Sequence, residues 1–468
     1  MSYGHFSADG REYVITDPRP PRPWANVISN PRLGLAVAQS GSGFTWIDNS
    51  QLAVVNWWQQ DFAHDTSGKF LYLSEGDDVW SLSPAPVWAD YDRFECRHGI
   101  GSTTFVTERN GLTAHWTLFA HESETVELWL VRLKNTLSAP RRLELTGYLE
   151  WVCGVTPAPR REFHKLFIET QRHGNAVLAW NHMWDVPNAE WGHWNSDFPY
   201  VCAFGTTANV TSAEGEKSEF LGRNGTLRAP EALSRREWRG LFGRHYDPVA
   251  ALRSIIELAP GEETCVGFAI AVGQTSEECA SLLHRDVESM RRDLEAVKQS
   301  WNERLSTHRF DVERRASAGR ADGLKPDAPQ DAFLNDWTRY QAISARIWGR
   351  AGYYQQSGAY GYRDQLQDSQ VWLTIDPAKT RTQIGLHAAH QFADGSVYHW
   401  WHPLSEQGHV TKMTDDLLWL AFVTANYLKE TGDFSILGDR APFLDDRSDA
   451  PLEEHVRRAF ERVFQRTS

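Results

Sequence analysis

The pattern of apolar residues changes once along this chain, near residue 274, and that change points to a β domain followed by helices. Upstream, no helical period is sustained. Short segments, Thr103 to Thr107 and Leu112 to Phe119, flank Asn110-Gly111, the dipeptide that a type I′ hairpin turn prefers. Leu143, Leu145, Leu149 and Trp151 fall on one face at period two, with Gly147 between them. Asn224-Gly225 is a further turn signal. Two apolar runs between Ser254 and Val272 flank Pro260-Gly261, which predicts another hairpin. This is the spacing of a large antiparallel sandwich over residues 1–273.

Downstream, Thr275 and Glu278 form a capping-box pattern, and the stretch to Leu305 has no Gly or Pro, which predicts one or two long helices. Residues 312–330 are polar and bear Gly and Pro, so 274–330 reads as a helical linker. From 331 the spacing of Phe333, Trp337, Tyr340, Ser344 and Ile347 marks one helix face. Helices are predicted from about Gln365 to Ile375, and from Asp376-Pro377 to about Phe392. Thr414 opens another, closed by Gly432. Its core, Leu417 to Leu428, is apolar nearly all round, which predicts burial on every side and a helical barrel. A last helix begins near Leu452, and nothing at Ser468 reads as the finish of a domain.

Composition removes several functions. With 48 basic and 61 acidic residues the net charge is -13, against the basic face that nucleic acid requires. Met1 to Pro20 carries no secretory pattern, and the longest apolar run, Leu417 to Ala425, is too short for a bilayer. Two Asn-x-Thr sequons, Asn209 and Asn224, then read as chance. The five cysteines show no CxxC pairing, which argues against zinc and fits a reducing, cytoplasmic setting. Tryptophan (21) outnumbers tyrosine (14). Indole faces stack on sugar rings, although a large β domain also buries many aromatics.

The strongest chemical cluster runs from Gly349 to Asp368, a loop rich in Gly, Tyr and Gln that ends at a helix start. Asp364 and Asp368 are four apart, hence on one helix face, where like charges repel unless something binds beside them. Arg350 and Arg363 are placed to supply that charge, or to grip a phosphate bidentately. A capped helix start with a solvated acidic face explains the same spacing equally well. A second cluster joins Tyr398 to Pro403, including Trp400 and Trp401, with Asp415 and Asp416. Aromatics beside carboxylates suit a pyranose pocket. The better reading of the two acids is a first helical turn that favours the dipole. His387 and His390, at i and i+3, read as a surface or core pair, because a third metal ligand is not evident. Gly41-Ser42-Gly43 lacks the context of a dinucleotide loop, and neither a P-loop nor a GxSxG elbow occurs.

At these residues the chain resembles the inverting glycoside phosphorylases of glycoside hydrolase family 94, which includes cellobiose and chitobiose phosphorylases and the phosphorylase-like part of cyclic β-1,2-glucan synthases. The stretches are Asp9 to Tyr13, Pro23 to Pro31, Gly41 to Trp46, Gly358 to Asp368 and Thr414 to Leu420. The resemblance implies an N-terminal sandwich, a helical linker and an (α/α)6 barrel, of which residues 331–468 would be the first half. It implies a homodimer in the complete enzyme, no cofactor, and inorganic phosphate as co-substrate. It implies phosphate binding by Arg350 and donor-sugar contact by Asp364, with Arg363 and Asp368 beside it. Trp400, Trp401 and Asp416 are second-tier candidates for the pocket wall.

An inverting hydrolase needs a general acid and a base that activates water. Phosphate is already a nucleophilic anion, so phosphorolysis needs only the acid. In the family that acid lies in an Asp-Trp-Asn-Asp motif, and no such motif occurs in the 468 residues. The expectation is an N-terminal portion of an inverting β-glucan phosphorylase, inactive alone, with its acid beyond Ser468. Cellobiose-type members carry an extra arginine between the positions of Arg350 and Arg363. Its lack here favours β-1,2-glucan or longer-chain relatives. Two alternatives remain: a non-catalytic carbohydrate-binding remnant, and an inverting hydrolase using Asp364 or Asp416 as base.

Overall fold

A computed structural model describes residues 3–65, 67–155, 159–188, 192–310, 328–353, 355–413 and 415–467. Thr414 and residues 311–327 of the expected linker lie outside these. Among the described residues, two large antiparallel sheets, of ten and nine strands, face each other and enclose the principal core. The strands run from Gly4 to Gly273, with the short helix Lys217–Leu221 among them. The hairpin at Asn110-Gly111 forms as its sequence dictates. Ser102–Arg109 pairs with Leu112–Ala120, and both turn residues take positive φ, 48° and 70°.

The turn at Pro260-Gly261 does something else. Pro248–Leu258 pairs with Arg141–Gly154 and Val210–Glu216 in the nine-stranded sheet. Glu263–Gly273 pairs with Val126–Asn135 and Val201–Thr206 in the other. The expected hairpin is therefore an arch between sheets. Both strands are interior strands, flanked on each side by another partner, so neither is available to the other.

The sandwich core buries Trp116 and Trp129 with Phe204 and Phe268, and much of the tryptophan excess serves such packing. One buried ion pair ties the sheets together. The Lys69 ammonium lies 2.6 Å from Glu127 Oε1, and Trp129 Nε1 and Thr45 Oγ1 each donate to the same carboxylate at 2.6 Å.

The helices begin with Ser276–Leu283 and Val287–Ser306. Thr275 Oγ1 caps the first by accepting from Glu278 N, while Glu278 reaches back to Gln274 N. Helical structure from Ala328 to Gly349 includes π-turns and packs on the strand Ala25–Ser29. Trp337, Tyr340, Ser344 and Ile347 are buried as expected, but Phe333 is 52% exposed. Then come Tyr362–Ser369, Pro377–Ala388, Asp415–Thr431 and Leu452–Thr467. The helix opened by Asp376-Pro377 stops at Ala388, short of Phe392. Asp415–Thr431 is not buried on every side. Leu417, Leu420, Val423 and Tyr427 face its neighbours, whereas Phe422 is 51% exposed. No described helix is long and apolar enough to cross a membrane. All five cysteines are free thiols.

Candidate functional site: a cleft between sandwich and helices

The helix ending at Gly349 terminates because Arg350 turns left-handed, with φ 46° and ψ 39°. That turn sends the chain along the sandwich edge. Gly358, at φ 67°, lies so close that a Cβ there would sit 2.3 Å from Asn49 Oδ1. Arg350 folds back over this loop with its guanidinium buried. Nε donates to Gly358 O at 3.1 Å, Nη1 donates to Ile347 O and Trp348 O at 3.2 Å, and Nη2 donates to Asp48 O of the sandwich. The group also lies 4.3 Å from the Tyr360 ring centroid. Burial holds its pKa below the ordinary arginine range. Arginine has five N–H donors, so one Nη2 hydrogen is left over. The expected bidentate grip on phosphate is therefore unavailable without releasing a backbone carbonyl.

The following helix, Tyr362–Ser369, opens with no side-chain N-cap; instead Gln365 Oε1 accepts from Gly361 N. Asp364 and Asp368 share a face as their spacing requires. The cation between them is Arg346, with Nε 2.9 Å from Asp368 Oδ2 and Nη2 3.6 Å from Asp364 Oδ2. Neither Arg350 nor Arg363 fills that place. Arg363 reaches Asp415 at 3.1 Å and lies over the Trp419 ring. Burial raises the Asp368 pKa, and Arg346 opposes the rise. Arg346 carries no motif of its own. Its helix packs on the Asp364 helix only in the tertiary structure.

A small sheet sets the opposite wall. Tyr360–Gly361 pairs with Tyr398–His402, which pairs with Gln407–Val410. Neighbouring residues on a strand face opposite ways. Trp400 is 38% exposed and stacks on His409, whereas Trp401 is 1% exposed and stacks on His390 and Tyr360. Trp401 is thus core and not pocket wall. The His387 and His390 pair is core as well, and burial pushes His387 down to about 3.

Asp415 and Asp416 also divide. Asp415 is exposed at the start of its helix, as the dipole reading expects. Asp416 is 2% exposed and hydrogen-bonded to His399, whose Nδ1 lies 2.7 Å from Oδ2. Burial raises the Asp416 pKa, and the His399 hydrogen bond pulls it back.

These elements enclose a cleft of about 760 Å³. Arg346, Arg350, Arg363, Asp364, His399, Trp400 and His402 line it, with Gln51 from the sandwich. Asp368, Asp416 and Trp401 do not; each stands behind a residue near it, respectively Arg346, His399 and Tyr360. His402 is a liner that sequence reasoning did not single out. Burial, then the Arg350 charge, push it down to about 4. Its Nδ1 lies 3.2 Å from Asn49 Nδ2, so in the neutral ring Nδ1 accepts and Nε2 carries the proton. Chemically the cleft offers three guanidinium groups, an exposed carboxylate, a neutral imidazole donor and an indole face. That set suits a hydroxyl-rich ring beside an anion.

Comparison with known proteins agrees over both regions. Residues 11–287 match the family described as "Glycosyl hydrolase 94, supersandwich domain", and residues 323–467 match "Glycosyl hydrolase 94 superfamily, catalytic domain". The chain is 31% identical to the cyclic β-(1,2)-glucan synthase of Rhizobium meliloti, over 94% of this chain and 15% of that one. It is 27% identical to the N,N'-diacetylchitobiose phosphorylase of Vibrio furnissii, over 98% of this chain and 59% of that one. The chain therefore spans well under two thirds of either relative. Among solved structures, a bacterial glucoamylase complexed with acarbose aligns with TM-score 0.52 and 6% identity, over 92% of this chain and 62% of that one. That likeness concerns fold alone, and with the family match it assigns the helical region to the (α/α)6-barrel type.

Proposed function

Because the chain belongs to glycosyl hydrolase family 94, we propose that its cleft holds the donor sugar and the phosphate of an inverting glycoside phosphorolysis. One observation carries the reading: Arg346, the neighbours Arg363 and Asp364, and Trp400, carried by three different elements, converge on one cleft. In the proposed reaction a phosphate oxygen attacks the anomeric carbon from the face opposite the glycosidic oxygen. The C–O bond breaks, its electron pair stays on the departing oxygen, and that oxygen takes a proton from a general acid. The products are α-glucose 1-phosphate and a shortened acceptor. Asp364 and Arg363 hold donor hydroxyls, Trp400 offers a stacking face, and His402 donates from Nε2. Arg346 faces the anion, and Arg350 contributes its remaining Nη2 hydrogen. Asp368 and Asp416 act behind Arg346 and His399 as positioning residues. No cofactor enters.

The substrate we favour is a β-1,2-glucan or a longer β-glucan. The glucan synthase relative and the single-arginine loop support it. We further propose a homodimer, to be read by sedimentation, and a cytoplasmic setting, which the five free thiols favour.

The 468 residues hold no Asp-Trp-Asn-Asp stretch, so this chain assayed alone should bind sugar without releasing glucose 1-phosphate. Calorimetric titration with β-1,2- and β-1,4-glucooligosaccharides, with and without phosphate, tests this. Binding lost in Asp364→Asn supports the site; binding unaffected by that change refutes it. Glucose 1-phosphate release by the chain alone would sink the inactivity claim, and phosphate-independent sugar release would point to a hydrolase. The missing acid motif equally favours a purely carbohydrate-binding role, whose signature is sugar binding indifferent to phosphate.

A further inference from the structure

The helix that brings Arg346 to the sugar cleft carries a second row of residues beside it. Phe333, Trp337, Gln341 and Ala345 are spaced by four along it. Along that run the helix faces Phe6, Tyr13 and Trp24 of the sandwich across a cleft of about 450 Å³. Ala345 and Gly352 line both this cleft and the sugar cleft, so the two are compartments of one groove. The passage is open at Gly352, where an added Cβ would meet nothing within 4 Å.

The walls are aromatic and geometrically ordered. Phe6 and Tyr13 meet edge-on at 5.0 Å, Tyr13 and Trp24 at 5.7 Å, and Phe6 and Trp337 at 6.4 Å. Phe333 lines the cleft and is 52% exposed. Among the described residues that line it, none is an Asp, Glu, Lys or Arg, and burial pushes the lining His98 down to about 4, so it is neutral at pH 7. Gln341 adds an exposed amide group to the lining.

We propose that this aromatic compartment binds the further sugar units of a neutral β-linked glucan whose end occupies the cleft of Arg363 and Asp364. The inference rests on the sugar-site reading of that first cleft. A β-glucoside ring carries its substituents equatorially, which leaves two flat C–H faces and a polar rim. The faces stack on indole and phenyl rings, and the rim meets the Gln341 amide. A polyanionic chain would find no cation among the described lining residues. The compartment thus sets a preference for chains longer than a disaccharide.

The test titrates the 468-residue chain with β-1,2- and β-1,4-linked glucose oligomers of increasing length. Affinity should rise about tenfold or more from the disaccharide to the longer chains. Phe333→Ser removes an exposed wall and should cut that gain to about threefold or less, leaving disaccharide affinity unchanged. Gly352→Leu places a side chain in the open passage and should abolish the gain. Asp364→Asn separates this inference from the reading beneath it. Disaccharide binding that needs Asp364 but does not strengthen with length overturns the distal compartment and leaves the first site standing. A length gain that needs Phe333 but ignores Asp364 supports the compartment and removes the first site's assignment. A gain that survives Phe333→Ser and Gly352→Leu overturns the inference, and no binding by any oligomer overturns both.

Discussion

Arg346 stands between Asp364 and Asp368, and its removal separates two effects. Its side chain is 45% exposed, so the pair adds about 1 kcal/mol or less to stability. Arg346→Ala should therefore leave the urea midpoint nearly unchanged while lowering phosphate affinity about tenfold by calorimetry. A large loss of stability with intact phosphate binding would make Arg346 a scaffold residue only. A second prediction concerns pH. Burial lowers His98 and His402 to about 4 and His387 to about 3. Between about pH 6.5 and 4 the unfolded chain takes up protons that these groups refuse in the fold. Their contribution is complete above pH 6.5 and is lost as pH falls, by on the order of 3 kcal/mol for His98 at pH 4. Asp368 and Asp416, raised by burial, work in the opposite sense and favour the fold at low pH. Urea unfolding at pH 7 and pH 4.5 should show the net loss, and His98→Gln should make it shallower. An unchanged midpoint at the two pH values would contradict this. At this scale the sequence exposes Asp364, Arg363 and Trp400 because loop composition and helical spacing are local signals. Arg346 and His402 stay hidden because tertiary contacts define their surroundings. Trp401 misleads because composition does not say which face of a strand a residue occupies.

At the scale of elements, Lys69 and Glu127 lie on strands of opposite sheets, and both side chains are 0% exposed. Burial drives the Lys69 pKa down, and Glu127 opposes that. Lys69→Met would leave a buried carboxylate without its cation, at a cost of about 3–5 kcal/mol in urea unfolding. Lys69→Met combined with Glu127→Met should recover most of the loss, since no charge then remains in the core. A double variant as unstable as the single would mean that the ions themselves hold the sheets together. Element types are readily legible here, because period two and period 3.6 differ over nearly every segment. Partners are less so. The turn at Pro260-Gly261 has the same local pattern as a hairpin, and only the competing strands Arg141–Gly154 and Val126–Asn135 decide that its two arms separate. The helix Asp415–Thr431 shows the same limit. An apolar sequence sets how much surface can be buried, and the neighbours set how much is.

At the scale of the molecule, the cleft exists only while sandwich and helices hold together. Arg350 to Asp48 O, Asn49 to the 358 and 403 carbonyls, Ser344 to Val27 O and Trp337 to Gly10 O are among the ties. Arg350→Ala removes the first and frees Gly358, Ile347 and Trp348 carbonyls together. We expect glucooligosaccharide affinity to fall at least about tenfold while the sandwich keeps its own unfolding midpoint, visible as two urea transitions where the parent shows one. A single transition with unchanged affinity would show that the tie is dispensable.

The arch at Pro260-Gly261 has a consequence for how the molecule is made. Its two arms are the strands between Pro248 and Gly273, and each enters the interior of a different sheet. Until residue 258 has left the ribosome both sheets lack an interior strand, and the ten-stranded sheet lacks its own until residue 273 has followed. The earlier strands then expose unpaired edges to any other chain nearby. The last strands of the sandwich act as its keystone, and nascent chains halted before Pro248 should be degraded or captured by chaperones, whereas those halted beyond Gly273 should resist protease.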